Sequence, residues 1–265
     1  MPKWLIPVGR CFYAIGLIGI GVQHFIFSDF IPVIMPAWPS WIPGGHAIFA
    51  YMFGALLIAA GTCILFDIKG RTVAAITGAV FLLLVFIAHV PATMALYPRY
   101  LGSWTNAFKL LTMSGGAWIV VGSLDERTTQ RMGFLESIMP CGRYFLPITV
   151  VAFGYAHFLY VQFVKDLVPN WIPGHLFWTY FAGVALIASG LGIIFRVQAR
   201  LAAFLLGLMI FLWFIMLHIP RAIADPRSGR GNEWTSVFEA LAFSGIAFIM
   251  AALPASNRFS ISKSD

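Results

Sequence analysis

An internal repeat constrains the fold of this chain of 265 residues more than any single residue does. The stretch Trp171-Ile172-Pro173-Gly174-His175 has a near copy in Trp41-Ile42-Pro43-Gly44-Gly45-His46. Each copy follows a His-Phe pair, which begins at His24 or His157, and each opens an apolar run that ends at a glycine. Aligning the two copies brings the rest of the sequence into register, which predicts two copies of one structural unit.

The spacing between matched residues is nearly constant along the chain. The matched pairs are His24 with His157, 133 residues apart, His46 with His175 and His89 with His218, both 129 apart, and Trp104 with Trp234, 130 apart. The spacing falls from 133 to 129 between His24 and His46. The loop between the first and second helices is therefore four residues longer in the first half than in the second. These loops, 31–43 and 165–173, are rich in proline and tryptophan. Both are predicted to be rigid, extended and located at a membrane interface.

The composition places both units in a membrane. Hydrophobic residues make up 60% of the chain and charged residues 10%, and the mean hydropathy is +0.86, whereas soluble domains contain about 25% charged residues. Eight apolar stretches are long enough for a helix to cross a bilayer: 9–27, 46–66, 72–95, 104–122, 143–163, 174–195, 199–220 and 234–253. We therefore predict an all-α integral membrane protein with eight transmembrane helices. Since four spans return each unit to the same side, the units form two parallel four-helix repeats.

The predicted repeats occupy residues 1–124 and 142–254, with a cytoplasmic linker at 125–141 and a cytoplasmic tail at 255–265. Most of the 17 lysines and arginines fall on the side of the two termini. By the positive-inside rule, both termini of this multi-pass protein are predicted to face the cytoplasm across the plasma (inner) membrane. The net charge of +7 reflects this asymmetry, so the expected partner is the lipid bilayer and not a nucleic acid.

All six histidines belong to matched pairs and are predicted to lie at the outer ends of helices: His24, His46, His89, His157, His175 and His218. The third helix of each half is predicted to end at its His-x-Pro sequence. Imidazole can ligate a metal or haem iron, donate a hydrogen bond to a quinone carbonyl, or transfer protons. It also suits a membrane interface for structural reasons alone. Because the histidines have no His-x-His or His-x-x-x-His spacing, a metal site requires ligands from several helices.

Two charged residues are predicted to lie inside spans. Lys109 and Glu239 each follow by five residues the tryptophan that opens the fourth helix of their half, which places them about 7 Å below the outer interface. A lone charge at that depth costs several kcal/mol. We therefore expect the two side chains to pair between the halves. The pair either stabilises the contact between halves or forms the polar wall of an outward-facing cavity.

The arrangement resembles a known family. Gly21-x-x-His24-Phe25, a proline-rich segment that ends in Trp-Ile-Pro, a glycine-rich second helix and a basic turn are similar to the DoxX/DoxD-like family of small four-helix membrane proteins. Gly154-x-x-His157-Phe158 and the residues up to Arg200 resemble it equally, so the chain looks like a tandem fusion. The family is associated with respiratory chemistry, including a membrane subunit of thiosulfate:quinone oxidoreductase. The acidic residue that many relatives have in helix two is absent after Gly54 and after Gly183, so a proton or ion role of that helix is not carried over from the family.

The resemblance implies a membrane component of a respiratory or redox system, a quinone-linked oxidoreductase subunit that binds a quinone or a similar apolar molecule near the outer leaflet. A redox partner subunit is then expected to hold the redox centre. Two alternatives stay open: an electron-transfer protein whose metal or haem is ligated by the six histidines, and a non-catalytic scaffold or transporter of a lipid-like ligand. The residues expected to line the ligand site are His24, His46, His89, His157, His175, His218, Lys109 and Glu239.

Overall fold

The computed structural model describes residues 1–36, 45–124 and 133–253, and every regular element within these ranges is helical. The first half contains α1 (Leu5–Phe27), α2 (His46–Leu65), α3 (Gly70–Leu84), α4 (Val90–Leu96) and α5 (Thr105–Val121). The second half contains α6 (Phe134–Ile138), α7 (Phe145–Leu159), α8 (Val161–Lys165), α9 (His175–Ile194), α10 (Ala199–Trp213), α11 (Ile219–Ala224) and α12 (Ser228–Ala252). The motif residues 41–44, part of the predicted linker (125–132) and the predicted tail lie outside the described residues.

Seven helices of the described chain are long and apolar enough to cross a membrane: Leu5–Phe27, His46–Leu65, Gly70–Leu96, Phe134–Leu159, His175–Ile194, Ala199–Ala224 and Ser228–Ala252. The remaining long helix, α5, has 17 residues. Large apolar side chains cover the outer surface, as with Ile48 and Leu56 of α2, which are 63% and 64% exposed. Such a surface suits lipid better than water. The all-α prediction is confirmed, and helices of this length and composition are typical of a membrane protein.

The helix after each Trp-Ile-Pro motif begins at the histidine. Gly45 and Gly174 directly precede His46 and His175, and their φ angles are 75° and 76°. A residue with a β-carbon is strained in this left-handed region, whereas glycine is not. The glycine therefore sets the direction in which the chain enters α2 and α9.

The third helix of each half continues through its His-x-Pro sequence, so the prediction that it ends there is wrong. Val85–His89 and Phe214–His218 each form one π-helical turn between two α-helical segments. Pro91 has no N–H to bond the carbonyl four residues earlier, and its ring excludes that carbonyl. The N–H of Val90, the residue before the proline, bonds to the carbonyl of Val85, which is five residues earlier. The wider turn accommodates the proline without ending the helix.

Two helices, α5 and α12, lie at the centre of the bundle. In the span Ser228–Ala252, 83% of the residues in an apolar stretch of 18 are buried inside the protein. The corresponding share in the span Ala199–Ala224 is 22%. Each central helix packs against the third helix of its own half and the first helix of the other half: α5 contacts α3 and α7, and α12 contacts α10 and α1. The first and second helices of each half also pack together, and α5 contacts α12. The same helix pairs therefore form in both halves.

Glycines permit the close contacts between the halves. A β-carbon added at Gly245 of α12 would lie 2.5 Å from the carbonyl oxygen of Gly9 in α1. One added at Gly115 of α5 would lie 2.5 Å from the carbonyl oxygen of Gly142, before α7. Exchanging the halves converts one contact into the other, as expected for two repeats related by an approximate twofold axis.

Candidate ligand-binding site

We call the end of the bundle at which the histidine-bearing helix termini lie the outer end. The loop after α1 folds into the outer end of the first half. Phe30, Ile31, Val33 and Ile34 are at most 5% exposed, and the N–H of Ile34 bonds to the carbonyl of Ile31 in a turn. The prediction of an extended interfacial loop is therefore wrong for these residues. Apolar side chains gain more from burial in the bundle than from contact with the interface.

Two histidines of the first half hold this loop. The Nδ1 of His24 lies 2.8 Å from the carbonyl oxygen of Ile20, and its Nε2 lies 3.5 Å from the backbone nitrogen of Ile31. The Nε2 of His89 lies 3.3 Å from the carbonyl oxygen of Ile34. With the proton of His24 assigned to Nδ1, that nitrogen donates and Nε2 accepts. Because both ring nitrogens of His24 bond to the backbone, neither is available to a metal or ligand in this arrangement.

The matched histidines of the second half hold no such loop. The Nδ1 of His157 lies 2.8 Å from the carbonyl oxygen of Phe153, and its ring stacks on Trp213 with 6.2 Å between centroids. The Nδ1 of His218 is buried and has no hydrogen-bond partner among the described residues. The segment after α7 forms the short helix α8, which contains no buried residue. The second half is therefore not closed by its own first loop.

The aromatic neighbours of the matched histidines also differ. The ring of His24 lies 5.9 Å from that of Phe30 and 6.1 Å from that of Phe53, measured between centroids. At the corresponding positions of the second half, Phe163 is 67% exposed and Ala182 replaces the second phenylalanine. The two rings that cover the first-half histidine are therefore absent beside its counterpart.

Lys109 of α5 and Glu239 of α12 meet between the halves. The Nζ of Lys109 lies 2.6 Å from the Oε2 of Glu239, and their side chains are 16% and 3% exposed. The pairing predicted from the repeat is thus confirmed. The other carboxylate oxygen, Oε1, is buried without a hydrogen-bond partner in the described part of the chain, as is the hydroxyl of Thr112, one turn further along α5.

The charged groups near His218 are those of Lys109, Glu233 and Arg221. We call His218, Lys109 and Glu239 the central polar cluster. A buried polar atom without a partner destabilises a protein by about 1–3 kcal/mol, and native structures contain few. The unpartnered atoms of His218 and Glu239 indicate a place where another molecule, water or ligand, supplies hydrogen bonds.

Two further ion pairs fix the start of α12 at the outer end. Arg221 donates from Nε and Nη2 to the two carboxylate oxygens of Glu233, at 2.9 and 2.7 Å. Arg230 donates to Asp29 at 2.8 Å, although the two residues are 201 positions apart. Neither carboxylate is among the predicted site residues, because an ion pair between distant residues leaves no local pattern in the sequence.

The eight predicted site residues do not converge on one point. His46 is exposed at the start of α2 and His175 is partly exposed at the start of α9. Within the described residues, no group of three or more His, Cys, Asp or Glu side chains could hold a metal ion. The resulting groups are His24 and His89 on the buried loop, His157 on Trp213, His46 and His175 at helix starts, and His218, Lys109 and Glu239 in the central polar cluster.

A groove of about 350 Å³ opens at the same end, between α1 and α12. Its walls are largely apolar, with Ile26, Trp234 and Phe238 among the lining residues. The one buried polar side chain in the wall, Gln23, donates to the carbonyl of Gly231 at 2.9 Å and accepts from a threonine hydroxyl. Since the Gln23 amide is already bonded, the groove suits an apolar chain better than a polar head.

Comparison with known family models gives a match in the second half of the chain. A family model described as a domain of unknown function (DUF8561) matches residues 146–253. The matched segment begins in the first turn of α7 and ends just after α12, and it contains His218 and Glu239 but not Lys109. No curated protein and no solved structure matches the chain.

Proposed function

We propose that the chain is a plasma-membrane protein with eight spans, arranged as two parallel four-helix repeats with both termini in the cytoplasm. In this proposal the eighth span is α5, whose 17 residues follow a 3-10 turn at Leu101–Trp104. The exposed apolar side chains support contact with lipid. The excess of basic residues on the side of the termini supports the orientation.

Within this protein, the outer end of the second half binds a small apolar molecule with hydrogen-bonding oxygens. The similarity to the DoxX/DoxD-like family favours a quinone as its chemical class. The observation that carries this proposal is the set of buried, unpartnered polar atoms in the central polar cluster, which include His218 Nδ1 and Glu239 Oε1. Because lipid supplies no hydrogen bonds, an acceptor oxygen of a membrane-soluble ligand is the natural partner for the ring N–H of His218, while Glu239 keeps Lys109 as its partner.

The side chains of the cluster fit a quinone head. A quinone carbonyl accepts hydrogen bonds, and both the ammonium of Lys109 and the ring N–H of His218, when the proton is on Nδ1, donate them. Glu239 balances the charge of Lys109 at 2.6 Å, so an uncharged head adds no net charge to the buried site. A bound quinone supplies two-electron redox chemistry. The residues of this chain supply binding and orientation, and electron transfer is assigned to a partner subunit.

Purified protein in nanodiscs tests the proposal. Quinone retained from the native membrane is measured by mass spectrometry of a lipid extract, and binding of a short-chain ubiquinone analogue is measured by calorimetry. His218→Gln should weaken binding roughly 5- to 150-fold, since a lost hydrogen bond to a buried group is equivalent to about 1–3 kcal/mol. His46→Gln is the matched control, because His46 is exposed at the same end and should bind like wild type.

Equal quinone binding by wild type and His218→Gln would refute the proposal. Thermal unfolding of both proteins separates loss of binding from loss of folding, and similar midpoints are expected because the Nδ1 of His218 has no protein partner among the described residues. An optical spectrum of the same sample distinguishes the alternatives. A Soret band or stoichiometric metal would assign the histidines as ligands, and the absence of quinone and metal would favour a scaffold or a lipid transporter.

A further inference from the structure

A second cavity lies at the opposite end of the bundle, the end predicted to face the cytoplasm. Its volume is about 470 Å³, and it opens between the ends of α5, α9 and α12 and the start of α10. Three arginines line it: Arg143, Arg196 and Arg200. No aspartate or glutamate is among its described lining residues, and none of the three arginines forms an ion pair within the described chain.

Arg143 is part of the cavity wall. Its Nη2 donates to the hydroxyl of Tyr144 at 2.5 Å, and its guanidinium lies 4.6 Å from the centroid of the same ring. The Nε of Arg143 is buried and has no hydrogen-bond partner among the described residues. Because a guanidinium presents five N–H donors in a planar fork, a buried and unused Nε–H indicates an acceptor that does not belong to the described residues.

Arg196 lies in the turn between α9 and α10, and Arg200 lies at the start of α10. The Nε of Arg200 donates to the carbonyl of Ala251 near the end of α12, at 3.0 Å. This bond uses one N–H of the guanidinium and fixes the side chain against the central helix. Arg196 is exposed in a left-handed conformation with a φ of 61°. The turn and the start of α10 therefore add two positive charges to the cavity.

The repeat provides an internal comparison for these charges. Arg10 and Arg71 of the first half match two of the three arginines, but Asp67 occupies the position that matches Arg196. Both residues lie in the left-handed region, with φ angles of 56° for Asp67 and 61° for Arg196. Gln198 in turn replaces Lys69, so each half carries three basic residues at this end, and the second half differs in having no acidic residue in the turn.

We propose that this cavity binds the phosphate of an anionic phospholipid headgroup. Arginine pairs with phosphate through two parallel hydrogen bonds, and a basic pocket between transmembrane helices suits such a headgroup. Apolar lining residues, Ile193, Met250 and Leu253, continue from the arginines along the helix ends and provide contacts for the glycerol and the first methylenes. The volume lies in the range of about 300–1,000 Å³ that ligand sites occupy. The site is independent of the quinone site and requires only that the protein lies in a membrane.

Native mass spectrometry of detergent-purified protein tests this site. Equal amounts of phosphatidylglycerol and phosphatidylcholine are added, and wild type should retain phosphatidylglycerol preferentially. Arg196→Asp should reduce the retained phosphatidylglycerol about tenfold, since it replaces an attractive charge by a repulsive one. The fold should accept this change, because Asp67 lies in the same left-handed region. Arg10→Gln, at the same end of the first half, is the matched control and should retain as much as wild type.

Equal retention of the two lipids by wild type would overturn the proposal. So would an unchanged preference in Arg196→Asp and in Arg200→Gln, measured on samples whose thermal midpoints match wild type. Inorganic phosphate at millimolar concentration separates a lipid from a soluble anion. If free phosphate displaces the lipid, the cavity is a soluble-anion site and the lipid assignment fails; if the lipid stays bound, the assignment stands.

Discussion

Replacing Lys109 alone should destabilise the protein more than removing the whole ion pair that it forms with Glu239. Lys109→Met leaves a carboxylate that is 3% exposed between α5 and α12 without its counter-charge. Removal of one partner from a buried ion pair typically costs about 3–5 kcal/mol. The double variant Lys109→Met/Glu239→Leu removes both charges and keeps similar volumes. Its free energy of unfolding should lie within about 1 kcal/mol of wild type or above it.

The magnitude follows from distance and burial. At the observed 2.6 Å separation and an effective dielectric constant of about 20, the attraction is about 6 kcal/mol. Desolvation of both ions offsets most of this attraction, which is why the double variant is nearly neutral. Glu239→Leu alone should cost less than Lys109→Met, since the lysine side chain is 16% exposed and its long stem can direct the ammonium towards the interface.

Unfolding of the four proteins in mixed micelles, titrated with dodecyl sulfate, gives the coupling energy through a double-mutant cycle. The exposed pair Lys165–Asp166, 3.8 Å apart, serves as the control, and Lys165→Met should change stability by less than about 1 kcal/mol. A coupling energy between Lys109 and Glu239 below about 1 kcal/mol would refute the reasoning. The same holds if Lys109→Met proves as stable as the double variant.

Two other changes test the packing. His89→Ala should speed hydrogen exchange in the buried loop 30–34, because the bond to the loop carbonyl is lost. The control, His218→Ala, should leave exchange in that loop unchanged. Equal effects of the two changes would contradict the assigned role of His89. Gly154→Ala should lower the free energy of unfolding by roughly 1–3 kcal/mol, since the new methyl would lie 2.7 Å from the carbonyl oxygen of Gly183. A thermal midpoint equal to wild type would show that α7 and α9 separate without penalty.

The helix positions were largely predictable because they depend on local properties. Apolar length and turn residues predict a helix over 174–195, and the structure has His175–Ile194. The course of the third helix was not predictable from its proline alone. A proline in the first turn of a helical segment is tolerated, and whether the chain stops or forms a π-helical turn depends on the tertiary contacts around Pro91 and Pro220.

The candidate site was predictable only where the repeat determines the positions of two residues along the axis of the bundle. Lys109 and Glu239 occupy matched positions on the two central helices, so their proximity follows from the register. The burial of Ile31 and Ile34 does not, since the same apolar residues suit an interface equally well until the bundle offers them a gap. Composition therefore predicted that the loop avoids water, but not that it is buried in the bundle.

The ion pair at the centre of the bundle also bears on the history of the chain. Lys109 and Glu239 hold matched positions, so two identical four-helix chains assembled about the same axis would place lysine against lysine or glutamate against glutamate. Two like charges at that distance do not both stay ionised in a buried site. The observed pair therefore requires two copies that differ at this position. Because both copies are part of one chain, every molecule contains one lysine and one glutamate that can pair.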